Sequence, residues 1–177
     1  MIDQGLCGSC WAFASAAFLA DRFCIDSGEA INVRMSPQDM VACDLNNQGC
    51  GGGYLVPSVA YLESRGLPSE ACVPYTLGST ETTPSCTWGC TAPGESYRLY
   101  KCKKGSMKLM QDPTSIKRDI HDNGPVMVAL TVYQDFFYYG SGIYTVASDS
   151  SDAFAGLHAI KLLGWGVDGT EGEYWIG

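Results

Sequence analysis

Two cysteines three positions apart, Cys7 and Cys10, open the apolar run "LCGSCWAF" at residues 6–13, and three chemistries use such a pair. A structural zinc site needs four ligands, commonly two close Cys or His pairs. The only other close pair is Cys86 and Cys90, in a disulfide-like context, and the two histidines lie far apart, so zinc is the weakest reading. A redox Cys-x-x-Cys also sits at a helix N-terminus but usually follows a strand in a βαβ unit. Here "MIDQGL" is short, contains a glycine and makes a poor strand. In the third reading Cys7 is structural and Cys10 is a nucleophile. A thiol in the first turn of a helix feels the positive end of the macrodipole, which favours thiolate. A histidine must then stand beside it as imidazolium and later donate a proton to a leaving amine. His121 lies in the polar "SIKRDIHDNG", where a solvated surface role is the simpler account. His158 opens the apolar run "HAIKLLGWG", where it is either a satisfied core residue or the partner of Cys10.

The elements that must position these groups can be read along the chain. "CWAFASAAFLADRFCIDS", from Cys10 to Ser27, is apolar on nearly all sides for three turns and is followed by Gly28. That pattern predicts a helix buried between two layers, with Ser9 as N-cap and Gly28 just past its end. "SPQDMVAC" predicts a short helix with Ser36 as cap and Pro37 at its first position. "PSVAYLESRG" predicts a third, stopped at Gly66, and "DPTSIKRDIHDNG" a fourth, with Pro113 at its start and Gly124 closing it. Between Cys43 and Ser96 the Gly-, Pro-, Ser-, Thr- and Cys-rich chain reads as loops held by disulfides. "PVMVALTVY", "GIYTVA", "HAIKLLGWG" and "EYWIG" are β-branched and aromatic and predict strands. Helices first and strands second argue α+β with two lobes, 1–95 helical and 96–177 β-rich.

Composition narrows the classes. The chain has 177 residues, 46% hydrophobic and 17% charged, which is globular rather than disordered. A net charge of −8 disfavours nucleic acid and anionic membrane as partners. No apolar stretch approaches the roughly 20 residues of a membrane span. Residues 1–20 lack signal-peptide features, so any targeting signal is absent or lies on a precursor. Nine cysteines suggest an oxidising compartment, and an odd count leaves at least one thiol unpaired.

"CGSCW", with a histidine roughly 150 residues downstream, resembles the papain-like cysteine proteases. "DQGLCGSCWAFA", "DRFCI", "SPQDMVACD", "GCGGGY", "CVPYT", "NGPVMVALTVYQDF", "SGIY" and "HAIKLLGWG…EYW" look, in that order, like the cathepsin B branch and span nearly the whole chain. The resemblance implies a papain-like fold, a helical left lobe and a β-barrel-like right lobe with the active-site cleft between them. It also implies a cysteine-type endopeptidase that works through a thioester acyl-enzyme.

On this resemblance Cys10 is the nucleophile and His158 its ion-pair partner and general acid/base. Gln4, six residues before Cys10, is the side-chain donor of the oxyanion hole. Read without the resemblance, Gln4 is simply a surface residue in a turn. Gly52 and Gly53 of "GCGGGY" would let substrate main chain approach; alone they read as a loop. Ala129 and Ala159 fall where the family lines its second specificity pocket. The implied disulfides are Cys7–Cys50, Cys43–Cys86 and Cys72–Cys90. The mate of Cys24 would lie upstream of Met1, and Cys102 has no assignable partner. No metal and no cofactor are implied. The implied partners are peptide and protein substrates, an inhibitory propeptide and cystatin-like inhibitors. The enzyme is expected to be a monomer made as a zymogen, in the lysosome or vacuole or secreted.

Two departures shape the expectations. The family orients its histidine with an asparagine in an "NSW"-like stretch after "YW", and no asparagine follows His158. The family's mature enzymes also extend beyond both Met1 and Gly177. The expectation is therefore an incomplete enzyme that, alone, folds poorly and has little activity. Second, cathepsin B removes C-terminal dipeptides by means of an occluding loop with two adjacent histidines, and "CVPYTLGSTETTPSCTWGC" has none. Endopeptidase action without strong dipeptidyl carboxypeptidase activity is expected. Two alternatives stay open: a catalytically inactive homologue acting as a binding module, and a thiol–disulfide oxidoreductase using Cys7 and Cys10.

Overall fold

In a computed structural model, which describes residues 3–147 and 153–177, four helices precede four strands. The helices are α1 (Cys10–Asp26), α2 (Pro37–Cys43), α3 (Leu55–Ser64) and α4 (Pro113–Asn123). The strands are β1 (Val126–Tyr133), β2 (Phe154–Leu162), β3 (Gly164–Asp168) and β4 (Gly172–Ile176).

The all-round apolar character of α1 follows from its surroundings: it packs on α2 and α3 and also on β1, β2 and α4. Trp11, Ala12, Ala14, Ser15, Ala16 and Leu19 are buried along it. Each large apolar side chain so buried contributes roughly 1.5–3 kcal/mol, more than the roughly 1 kcal/mol of a good cap. Burial therefore places the helix, and its start is free to serve another purpose. Ser9 occupies the N-cap position but its side chain caps nothing. Its hydroxyl lies 2.8 Å from the Tyr75 hydroxyl and 3.3 Å from the Cys7 carbonyl instead. Gly28, at φ 58, takes the left-handed conformation that ends the helix.

Helices α2 and α4 start conventionally, whereas α3 follows Tyr54 without a side-chain cap. The Ser36 hydroxyl accepts from the Asp39 amide (3.0 Å) and Asp112 from the Ser115 amide (2.8 Å), each before a proline. Helix α3 starts two residues earlier than the sequence suggests and is closed as expected, by Arg65 and then Gly66 at φ 81. Between α2 and α3 lies a buried ion pair. The Asp39 carboxylate has no exposed surface and accepts from both terminal nitrogens of Arg65, and Tyr61 donates to it (3.2 Å). Arg65 also donates to Tyr97 (2.8 Å) and lies 4.7 Å over the ring of Trp88. It thus ties the disulfide-held loops to the helices.

The strands form two antiparallel pairs, β1 with β2 and β3 with β4. Strand β2 begins four residues before His158, so the histidine stands mid-strand opposite Leu130 rather than opening the strand. The run "HAIKLLGWG" is divided at Leu163, whose amide turns to the Ile176 carbonyl (2.8 Å). "GIYTVA" forms no strand among the described residues. Tyr144 donates to Asp135 (2.7 Å) and packs edge-on to Phe136, so side-chain contacts hold the segment where a ladder was expected. The larger core cluster gathers around Trp11, Leu19, Met40 and Leu62; a smaller one joins Ile120 of α4 to Val126 and Leu162.

Candidate active site

Cys10 is the first residue of α1, half-buried and not disulfide-bonded. Its thiol is hydrogen-bonded to the imidazole of His158 from β2. Burial works against a charged sulfur here. It is outweighed by the hydrogen bond from His158, the Ala159 backbone N–H, the positive imidazole and the Trp11 backbone N–H, and the thiol pKa falls below its ordinary value. His158 shifts the other way: its hydrogen bond to Cys10 raises its pKa against burial, and the negative sulfur adds to the rise. The two displacements favour a thiolate–imidazolium pair, which joins a nucleophile to a proton donor. His121 is by contrast exposed, with Nδ1 2.8 Å from Asp122.

Several contacts bring α1 and β2 together. Asp21 of α1 pairs with Lys161 of β2. Arg22 pairs with Asp119 of α4 and donates to the carbonyls of Pro125 (2.9 Å) and Gly124 (3.2 Å). In the sequence Asp21 and Arg22 show only as charges that break an apolar run, because their partners Lys161 and Asp119 lie 140 and 97 positions away.

The wall beside Cys10 is built from glycine and a disulfide. Cys7 is bonded to Cys50, Cys43 to Cys86 and Cys72 to Cys90. Cys24 and Cys102 are not disulfide-bonded. The Gly8 amide donates to the Cys50 carbonyl (2.9 Å), and a Cβ on Gly8 would stand 2.6 Å from that oxygen. Gly52, at φ 114, has open space where a side chain would lie, consistent with approach by an extended peptide. Gly53 has a different reason. A Cβ there would lie 2.6 Å from the buried Trp11 ring and 2.8 Å from Asn47 Oδ1, so the missing side chain admits the indole. Trp11 Nε1 donates to the Gly49 carbonyl (3.2 Å), fixing the same loop from below.

Gln4 is partly buried, its Nε2 3.2 Å from the Cys7 carbonyl. Its own carbonyl accepts from the Tyr75 hydroxyl (2.8 Å). Ala129 and Ala159 face each other across the β1–β2 ladder, and Ala159 directly follows His158. In the sequence Tyr75 stands out only as part of "CVPYT". Its link to Gln4 spans 71 positions and leaves no local signal. Among the described residues no group of three or more His, Cys, Asp or Glu could hold a metal ion, and no helix is long and apolar enough to cross a membrane.

Comparison with known proteins gives this constellation a class. The sequence profile of the papain family cysteine proteases matches residues 1–177, and the chain belongs to that family. Within it the similarity is to the cathepsin B-like branch. "Cathepsin B-like CP3" of Giardia intestinalis is 37% identical over 176 residues, covering 99% of this chain and 58% of the relative. "Cathepsin B" of Dictyostelium discoideum is also 37% identical, over 93% of this chain and 55% of its own length. The solved structure of "proCathepsin B S9 from Trypanosoma congolense" superposes with a TM-score of 0.86 at 30% identity, covering 99% of this chain and 59% of that one. The fold is thus papain-like and α+β, and the chain spans under two thirds of the length of these relatives.

Proposed function

We propose that this chain carries the reacting groups of a cathepsin B-like cysteine endopeptidase. The observation that carries the reading is the Cys10–His158 hydrogen bond, with the thiol pKa lowered and the imidazole pKa raised. The Cys10 thiolate attacks the scissile carbonyl carbon, and the carbonyl π electrons move to oxygen. The Cys10 backbone N–H and the Gln4 side-chain amide donate to that oxyanion. Gln4 Nε2 carries two N–H groups; one on the Cys7 carbonyl orients the amide and leaves the other for the oxyanion. His158 gives its proton to the departing amine, the C–N bond breaks, and a thioester remains. Water, deprotonated by His158, then attacks the thioester, and collapse releases the acid and restores thiolate and imidazolium. The Cys7–Cys50 bond supports this reading over a Cys7/Cys10 redox pair.

Endopeptidase action is favoured because residues 72–90 contain no histidine to receive a substrate carboxylate. Gly52, Ala129 and Ala159 would meet substrate, with Gly53 acting through Trp11 rather than by direct contact. Regulation by an inhibitory propeptide and a lysosomal, vacuolar or secreted location fit the disulfides and the likeness to a procathepsin.

Two measurements test the reading. A thiolate-directed epoxide should alkylate Cys10; an unlabelled Cys10 would leave a binding module as the better account. A free-carboxyl peptide digested by the intact protein should yield internal cleavage products by mass spectrometry. Stepwise release of C-terminal dipeptides would overturn the endopeptidase assignment.

A further inference from the structure

Gln4 is held at two points, its side-chain amide on the Cys7 carbonyl and its main-chain carbonyl on the Tyr75 hydroxyl. The second point reaches further. The same hydroxyl lies 2.8 Å from Ser9 Oγ, and Ser9 is the fully buried residue immediately before Cys10. Tyr75 has one hydroxyl proton, and it goes to the Gln4 carbonyl, so in this pairing Ser9 gives its single proton to Tyr75 at 2.8 Å in preference to the Cys7 carbonyl at 3.3 Å. The chain Ser9 to Tyr75 to Gln4 therefore spans the gap between nucleophile and oxyanion donor in two hydrogen bonds.

The tyrosine is itself a fixed point. Its ring packs edge-on against Phe13 of α1 at 4.7 Å. The next residue, Thr76, donates its amide to Gln38 (3.0 Å), and Cys72, three residues earlier, is bonded to Cys90. The loop continues under the glutamine: the Gly78 carbonyl accepts from the Leu6 amide (3.1 Å). It passes so near Gly5, at φ 61, that a Cβ there would lie 2.0 Å from the Gly78 oxygen. Burial holds the phenol pKa above its ordinary value, so the hydroxyl remains a donor across the working pH range.

We propose that Tyr75 is a positioning residue of the catalytic centre, its hydroxyl fixing the Gln4 main chain to the residue before Cys10 and so setting where the oxyanion donor stands. This rests on the roles given to Cys10, His158 and Gln4 above. Tyr75 touches no reacting atom. It acts by keeping the Gln4 amide within hydrogen-bond reach of an oxygen that becomes charged only in the transition state, where a displacement of about 1 Å can cost on the order of 100-fold in rate.

The test is a double-mutant cycle of Tyr75→Phe and Gln4→Ala in the intact protein, with kcat and KM measured on a peptide substrate. Tyr75→Phe should lower kcat about tenfold and leave KM within about twofold, because the lost contact acts on the transition state. Gln4→Ala should lower kcat by on the order of 100-fold or more. In the Gln4→Ala background the tyrosine change should cost less than about twofold, since nothing remains to be positioned. A Tyr75→Phe variant with wild-type kcat, or one that loses the same factor in both backgrounds, overturns the proposal. Alkylation of Cys10 by iodoacetamide, which needs no oxyanion donor, should proceed at the wild-type rate in both single variants. A slowed reaction in Tyr75→Phe would mean that the thiol itself is disturbed and would also count against the proposal. A wild-type protein that cleaves no peptide, labelled or not, refutes the peptidase assignment and this proposal with it.

Discussion

His158, in the middle of β2, hydrogen-bonds the thiol of Cys10 at the first position of α1. The helix start and the strand therefore share one proton between them, and the state of each group depends on the other.

Replacing His158 with alanine removes the hydrogen bond and the positive charge while leaving part of the burial in place. The Cys10 pKa, now below its ordinary value, should rise. The midpoint of its alkylation profile should move to higher pH, and alkylation at pH 6 should slow relative to the wild type because less of the sulfur is thiolate there. Peptide-resolved mass spectrometry separates Cys10 from the other thiols. Cys102, which burial pushes up to about 11, should stay unreacted. An unchanged Cys10 profile would place the stabilisation of the thiolate elsewhere.

Removing the Cys7–Cys50 bond, by serine at both positions, should cost about 4 kcal/mol on the chain-entropy account. The two cysteines are 43 residues apart, so the unfolded chain regains a large loop. Activity should fall further than the loss of folded protein explains, because the bond also fixes the glycine wall beside α1. Denaturation midpoints and specific activity per folded molecule give the comparison.

Two neighbouring glycines should respond differently to alanine. At Gly53 a Cβ meets the Trp11 ring and Asn47 below 3 Å, and the variant should lose about 1–3 kcal/mol. At Gly51 the nearest atom would be Gln48 Cβ at an ordinary 3.5 Å, and the change should stay within about 0.5 kcal/mol. Equal thermal shifts would show that the indole is not what requires the missing side chain.

Arg65→Ala should be among the costlier substitutions away from the site, at about 3–5 kcal/mol. It leaves the Asp39 carboxylate, with no exposed surface, without its cation. It also frees Tyr97 and Trp88 from the helices. A chemical denaturation series reads the loss; a cost below about 1 kcal/mol would mean that the pair behaves as a surface contact.

Much of this architecture could be read along the chain where the cause is local. Ser36 before Pro37, Asp112 before Pro113 and Gly28 past Asp26 act within a turn of their own positions, and the helix boundaries follow. Cys10 and His158 were legible as a candidate pair from residue type, spacing and family resemblance. Other features depend on partners far away in sequence. Ser9 has the residue type of a cap, but Tyr75 claims its hydroxyl. Gly53 reads as loop until Trp11 is known to lie beneath it. "GIYTVA" has strand composition, yet Asp135 and Phe136 meet Tyr144 with side chains. Arg65 looks like a helix-ending surface charge until the buried Asp39 is placed against it.

The uncapped start of α1 has a further meaning. The amides of Ala12 and Phe13 both turn back to the Ser9 carbonyl, and with the Ser9 hydroxyl drawn off to Tyr75 the Trp11 N–H is left for the Cys10 sulfur. An aspartate at position 9 would give a firmer helix. It would also compete for that amide and set a second anion beside the first. Here mechanical strength and reactivity pull against each other, and a tougher helix would make a duller nucleophile.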